Sequence, residues 1–190
     1  MKKIVVFASG SGTNAENIIK YFAATKTGIV TNVFTNNPNA KVIERAKNHQ
    51  IPTEIFNKQD LFEGKVLQSV NEIQPDLIVL AGFLWKFPQN IIEAYPDKVI
   101  NIHPALLPKY GGKGMYGMHI HKAVVENNEK ETGITIHYVN ENYDEGNIIF
   151  QQKVALTEND TPEDVAAKIH ELEQKYFPEV IEKLLENRTS

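Results

Sequence analysis

The sequence predicts an α/β protein: a doubly wound, mostly parallel sheet with helices on both faces and a C-terminal antiparallel strand pair. Three observations predict it. Short continuous apolar runs, at residues 4–8 and at 77–81 after Asp76, have the composition of strands buried on both faces. They alternate with segments whose apolar residues recur at helical spacing, the rhythm of a parallel sheet with crossover helices. Towards the C-terminus that rhythm gives way to two neighbouring segments, 133–139 and 148–154, joined by the polar stretch 140–147. Such a pair suits antiparallel strands beside a parallel sheet.

Each element has its own justification. Ile4-Val5-Val6-Phe7-Ala8 is a strand, and Ser9-Gly10-Ser11-Gly12-Thr13-Asn14 a glycine-rich turn into a helix carrying Ile18, Ile19, Phe22 and Ala23. A second strand at 29–35 ends in Asn36-Asn37-Pro38. A short helix at 41–49 (Val42, Ile43, Ala46) and a strand at 51–56 follow. One longer helix is expected from about 59 to 73, through Leu61, Phe62, Val66, Leu67 and Val70. Asp76-Leu77-Ile78-Val79-Leu80-Ala81 is another buried strand, ending in Gly82-Phe83-Leu84-Trp85-Lys86-Phe87-Pro88. A helix at 89–95 leads into the apolar Val99-Ile100, with Ile102 beyond. After the loop 101–118 come a helix at 119–126 and the final strand pair. Thr161-Pro162-Glu163-Asp164 then supplies an N-cap, a proline at the first helical position and an acid at the third. The long amphipathic helix that follows is expected to bend or break at Pro178.

With 190 residues and no repeats or linker-like stretches, the chain reads as a single domain, 1–190. The net charge is −4 and no basic stripe marks a nucleic-acid groove. The absence of cysteine excludes disulfides, thiolate nucleophiles and Cys-ligated zinc. The apolar run after Lys2-Lys3 is shorter than a signal-peptide core, and nothing approaches the length of a membrane span. A cytoplasmic location is expected, with no membrane and no nucleic-acid partner.

The chemistry concentrates where the strand at 99 stops. Pro104 cannot donate to a sheet ladder and biases His103 towards extended backbone. Asn101 and His103, two apart at a strand end, point to the same side. An amide that donates to a developing oxyanion, beside an imidazole that moves a proton, suits transfer at a carbonyl carbon. A strand end whose Asn and His merely cap backbone groups reads the same locally. In the first turn, Gly10, Gly12 and Ala15 match G-x-G-x-x-A, and a helix start favours an anion. A dinucleotide site needs an acid at the end of the second strand, where Asn36-Asn37-Pro38 stands instead. A phosphomonoester is therefore preferred, against a turn that only requires small residues. The loops 9–14, 82–87 and 101–118 all leave the carboxyl ends of strands, where doubly wound sheets bind ligands. The glycines of 111–118 suit either a lid or a loose connection. His119 and His121 diverge at a helix start without a third ligand, so no metal is expected. Asp144, in the acidic stretch 140–146, gains interest only if it reaches His103.

These residues resemble a known family. Gly10-Ser11-Gly12-Thr13-Asn14, Leu80-Ala81-Gly82-Phe83, Asn101-Ile102-His103-Pro104-Ala105-Leu106-Leu107-Pro108-Lys109-Tyr110 and Asp144-Glu145-Gly146 are similar, nearly end to end and in order, to the phosphoribosylglycinamide formyltransferases. The resemblance implies formyl transfer from 10-formyltetrahydrofolate, a consumed co-substrate, to the amine of glycinamide ribonucleotide in purine biosynthesis, without a metal. It gives Asn101, His103 and Asp144 the catalysis, and Gly12, Thr13 and Asn14 the ribosyl phosphate. Glu173 matches a position contacting the glycinamide substrate. It gives the folate Leu84, Trp85, Lys86 and Phe87, with Asn101, Asn140, Glu141, Tyr143 and Asp144. Two departures stand out: 112–118 looks like an insertion, and Trp85-Lys86 replaces an Arg and an aliphatic residue. A basic folate contact has no motif, with Lys58 and Lys65 as candidates. Methionyl-tRNA formyltransferases and formyl-folate hydrolases share the catalytic trio but carry additional domains. A non-catalytic nucleotide-binding module would instead bind a dinucleotide without needing His103.

Overall fold

The computed structural model describes residues 1–188. Its elements run β1 (Lys2–Phe7), α1 (Thr13–Thr25), β2 (Gly28–Thr35), α2 (Lys41–Asn48), β3 (Thr53–Ile55), α3 (Lys58–Phe62) and α4 (Lys65–Ile73). Then come β4 (Leu77–Leu80), α5 (Gln89–Ala94), β5 (Val99–His103), α6 (Met118–Glu126), β6 (Glu131–Tyr138), β7 (Ile148–Ala155) and α7 (Pro162–Glu186). Among the described residues the strands form one seven-stranded sheet in the order β3-β2-β1-β4-β5-β6-β7. Pairings from β3 to β5 are parallel, whereas β5–β6 and β6–β7 are antiparallel. The predicted fold class is the one observed, and the chain reverses its direction of sheet growth between β1 and β4.

The central strands are apolar throughout because both faces are covered. Ile4 and Val6 of β1, with Leu77 and Val79 of β4, join the core under α1, α2, α6 and α7. Val5, Phe7, Ile78 and Leu80 join the second core, with Leu61, Val66, Val70 and Ile91. Successive strand side chains point to opposite faces, so alternate residues feed alternate cores. In β5, Ile100 and Ile102 enter the first core, which turns Asn101 and His103 to the other face. No helix among the described residues is long and apolar enough to cross a membrane.

Two expectations need correction. The helix expected from 59 to 73 is two helices, interrupted at Glu63-Gly64, where Gly64 takes φ 96 and begins α4. Apolar spacing carries across the break because both pieces bury the same face, so periodicity could not reveal it. The last helix, by contrast, runs unbroken through Pro178. Proline removes the N–H that would bond the Gln174 carbonyl. The Asn17 side chain donates to that carbonyl instead, at 2.8 Å, so the helix–helix packing of α1 on α7 repairs what the sequence breaks.

Asn17→Ala should accordingly lose about 1 kcal/mol of stability, the usual worth of one such hydrogen bond. Chemical denaturation checks this, with a fall in midpoint and an unchanged denaturant slope expected.

Candidate active site

A cavity of about 730 Å³ opens at the carboxyl ends of β1, β4 and β5, at the point where the strand order reverses, as doubly wound sheets predict. The loops after these strands line it together with 139–140, 142–144 and the inner face of α7. The three loops singled out in the sequence therefore do converge.

The turn after β1 is built by packing. Gly12, the N-cap of α1, has φ 72, and a Cβ there would overlap Val42 of α2. The position is glycine because two helices meet against it, whereas the space around a Cβ at Gly10 is open. Gly10 O accepts from Val42 N at 3.1 Å, and Arg45 Nε donates to Ser11 O at 2.8 Å. Arg45 also pairs with Glu16, whose carboxyl is held at about 2 by His49 first and Arg45 second. No side chain caps α1, so its first N–H groups face the cavity as an anion-binding end. Asn14 contributes differently from expectation. Its side chain is committed to α7, donating to Glu173 Oε2 at 3.0 Å and accepting from Gln174 at 3.2 Å. Burial pushes Glu173 up to about 7, against the opposing effect of the Asn14 hydrogen bond.

The loop after β4 forms an apolar wall. Ser9 joins it to the first turn, with Ser9 N donating to Gly82 O and Leu84 N to Ser9 Oγ, both at 3.0 Å. Phe87 lines the cavity but is a core residue, with its ring centroid 5.1 Å from that of Phe7 and 6.0 Å from that of Phe83. Leu84 and Lys86 are exposed on the wall, and Trp85 is half-buried. Lys58 Nζ lies 5.5 Å from the Trp85 ring centroid, a cation–π distance. Lys65 is instead paired with Asp60 at 3.2 Å.

The catalytic candidates meet at the third side. His103 is buried, with Nε2 2.7 Å from Tyr110 O and Nδ1 3.5 Å from Asp144 Oδ1. A carbonyl only accepts, so Nε2 carries a proton and Nδ1 is the titrating nitrogen. Burial lowers the His103 pKa, outweighing the opposing effects of Asp144 and the Tyr110 carbonyl. The free site therefore favours a neutral imidazole. Burial raises Asp144, but contacts with His137, His103 and the Gly112 N–H together hold its carboxyl below the usual value. Gly112 N donates to Asp144 Oδ2 at 3.1 Å, so the glycine-rich segment is tied to the acid and forms a wall of the cavity. Asp144 takes φ 55 in a loop closed where Gly146 meets Tyr138 O so closely that a Cβ would overlap it.

Sequence reasoning missed His137. It lies opposite Asn101 in the β5–β6 register, with Nε2 3.1 Å from Asn101 Nδ2 and 3.7 Å from Asp144 Oδ1. Its Nδ1 is 2.9 Å from Tyr138 O, which places the proton on Nδ1 and lets Nε2 accept from Asn101. One amide N–H of Asn101 is thereby fixed and the other left for a ligand. The available signal was the pair of polar residues, Thr135 and His137, two apart within an apolar strand. Asn142, within the 140–144 loop, lines the cavity too, and so do His121 and His170, which were not anticipated there. Glu141 was expected in the folate wall but is absent from the lining. The turn closed by Asn142 N on Asn140 Oδ1 at 2.9 Å leaves it exposed at the apex. Asn140 and Tyr143 do line the cavity. His119 is exposed and His121 buried, and among the described residues no group of three or more acids and histidines is placed to hold a metal.

Residues 2–181 match the formyl transferase family model. The chain belongs to the formyl transferase family. It is 37% identical to the phosphoribosylglycinamide formyltransferase of Bacillus subtilis (strain 168), over 97% of this chain and 95% of that one. The chloroplastic phosphoribosylglycinamide formyltransferase of Arabidopsis thaliana is also 37% identical, over 98% of this chain, which spans 66% of that protein's length. The crystal structure of phosphoribosylglycinamide formyltransferase from Bacillus halodurans superposes with a TM-score of 0.87 at 39% identity, covering 97% of this chain and 95% of that one. The chain thus shares both sequence and fold with the family over nearly its whole described length.

The raised Glu173 gives a signed pH dependence. Its folded pKa of about 7 exceeds the ordinary value of 4.5, so the folded state binds the extra proton between those values. Stability is present below pH 4.5 and is lost as pH rises through 7, by on the order of 3 kcal/mol. Glu173→Gln should abolish this loss, as read by denaturation at pH 5 and pH 8.

Proposed function

We propose that this enzyme transfers the formyl group of 10-formyltetrahydrofolate to the amine of glycinamide ribonucleotide, yielding formylglycinamide ribonucleotide for purine biosynthesis. The observation that carries the reading is that Asn101, His103, His137 and Asp144 share one cavity with an open helix N-terminus. Polar groups suited to acyl transfer lie at one end and an anion site at the other. The names of the relatives agree with it.

In this reading the ribonucleotide phosphate rests on the first turn of α1, with Gly12, Thr13 and Asn14 offering backbone N–H groups. Glu173, held by Asn14, faces the rest of the nucleotide. The folate lies against Leu84, Trp85 and Lys86, with Asn140, Tyr143 and Asp144 closing its other side. The substrate amine attacks the formyl carbon, forming a C–N bond and a tetrahedral oxyanion. The free N–H of Asn101 donates to that oxygen, an interaction worth about 3 kcal/mol by comparison with single oxyanion-hole donors. Collapse breaks the bond to the folate nitrogen. The proton lost by the amine is replaced on that leaving nitrogen, with His103 Nδ1 as the carrier and Asp144 stabilising the transient imidazolium. No protein nucleophile and no metal enter the scheme. A cytoplasmic setting suits these substrates.

The deciding assay is formyl transfer to glycinamide ribonucleotide, followed by folate absorbance. Turnover with charged tRNA or water, and none with the ribonucleotide, would overturn the assignment.

Two substitutions test its parts. Asp144→Asn keeps the shape but removes the charge that stabilises the transient imidazolium, so kcat should fall on the order of 100-fold near neutrality and the acid limb of the pH–rate profile, set by protonation of the accepting imidazole, should move to lower pH. An unmoved pH–rate profile would remove Asp144 from the mechanism. Gly10→Val adds bulk into open space, so it should fold normally and raise KM for the ribonucleotide by about tenfold or more while sparing that for the folate. Gly12→Val cannot serve this purpose, because its side chain would collide with Val42.

A further inference from the structure

A buried hydroxyl beside the catalytic strand holds more backbone than its position requires. Thr135 stands directly across from His103 in the β5–β6 register, and Gln151 directly across from Thr135 in the β6–β7 register. The three form one row over adjacent strands. Thr135 is fully buried. Its Oγ1 donates to Ala105 O at 2.7 Å, accepts from Leu107 N at 3.1 Å and accepts from Gln151 Nε2 at 2.9 Å. One donor and two acceptors exhaust a hydroxyl. Gln151 Nε2 also donates to Leu107 O at 3.0 Å, which uses both amide protons. Together they grip three backbone groups of the loop that leaves β5 immediately after His103.

That loop returns to the imidazole. Tyr110 O, three residues beyond Leu107, accepts from His103 Nε2 at 2.7 Å, while Asp144 Oδ1 stands 3.5 Å from Nδ1. A neutral imidazole has one ring proton, for which a carbonyl and a carboxylate compete. Only the closer approach of the carbonyl keeps it on Nε2. Tyr110 itself is steadied from outside by its hydroxyl, which donates to Glu129 Oε1 at 2.9 Å.

We propose that Thr135 and Gln151 are positioning residues that select the tautomer of His103, by holding the 105–107 backbone so that the Tyr110 carbonyl outcompetes Asp144 for its proton. This leaves Nδ1, on the side of the acid, free to take up and release the transferred proton. The inference rests on the formyl-transfer reading for its consequence, but not for the tautomer itself. Gln151 is an exposed residue on the edge strand, where substitution has little reason to affect folding. Among the described residues, the titratable groups facing the imidazole are Asp144, from the loop after β6, and His137, from β6.

Nitrogen NMR of the whole protein labelled on histidine, with His103 assigned by its loss in His103→Asn, reads the tautomer directly. The parent should show neutral His103 protonated on Nε2. Thr135→Val and Gln151→Met should both raise the Nδ1–H population, Thr135→Val more strongly, and Thr135→Ser should restore the parent pattern. In steady state, kcat should fall by about tenfold in Thr135→Val and about threefold in Gln151→Met, with both KM values changed by less than about threefold. Were Thr135→Val not to fold, the exposed Gln151→Met would decide the matter. Folded variants with the parent tautomer and an unchanged kcat would overturn the proposal. A tautomer shift in a protein that transfers no formyl group to the ribonucleotide would uphold the positioning role while refuting the substrate reading.

Discussion

The antiparallel register of β5 against β6 joins Asn101 to His137 and His103 to Thr135, and the rest of the site depends on it. Parallel strands bring β1, β4 and β5 to a common edge, but they give β5 only apolar neighbours. The return of β6 beside it supplies His137 as the partner of Asn101 and sets Thr135 across from His103. A slip of one residue would turn Thr135 and His137 to the opposite face and bring Ile134 and Ile136 in their place. Burial of Ile134 and Ile136 in the core opposes that slip, so the packing that stabilises the sheet also specifies the site.

The same burial sets the electrostatics. His103 loses the hydration of its charged form, and Asp144 restores only part of it. The result is an imidazole poised on the neutral side, with a carboxylate close enough to stabilise a proton when one arrives. An imidazole held permanently as a cation would be a poor acceptor. The acid accepts from Gly112 N of the glycine-rich loop, and His137 of β6 and His103 of β5 favour its ionised form when either imidazole is protonated. A change in any of the three is therefore felt at His103.

Around the first turn of α1, the residues proposed to bind the phosphate also serve the packing. Gly12 lets α2 approach α1, Arg45 bonds the turn while pairing the acid in the first turn of α1, and Asn14 links the turn to α7 through Glu173 and Gln174. An acid so near the proposed anion site would repel its ligand unless neutralised, which Arg45 and Lys20 provide for Glu16. Glu173 is handled by burial, which favours its protonated form. The two carboxyls meet one requirement by opposite means.

The alternation of buried strands and helices, the glycine turn, the capped last helix and the Asn–His pair before a proline were all legible in the sequence. Local pattern and stereochemistry determine them. Periodicity could not show the break at Gly64, since two helices sharing one buried face keep one rhythm, nor the continuity at Pro178, which depends on Asn17 from another helix. Three further features were decided by tertiary structure alone. Asp144 reaches His103 because a tight return at Gly146 turns its loop inward, Glu141 is turned out at an apex, and His137 and Thr135 meet β5 through register. Each depends on which strand lies beside which, and at what offset. A sequence records the faces of a strand but not its neighbour.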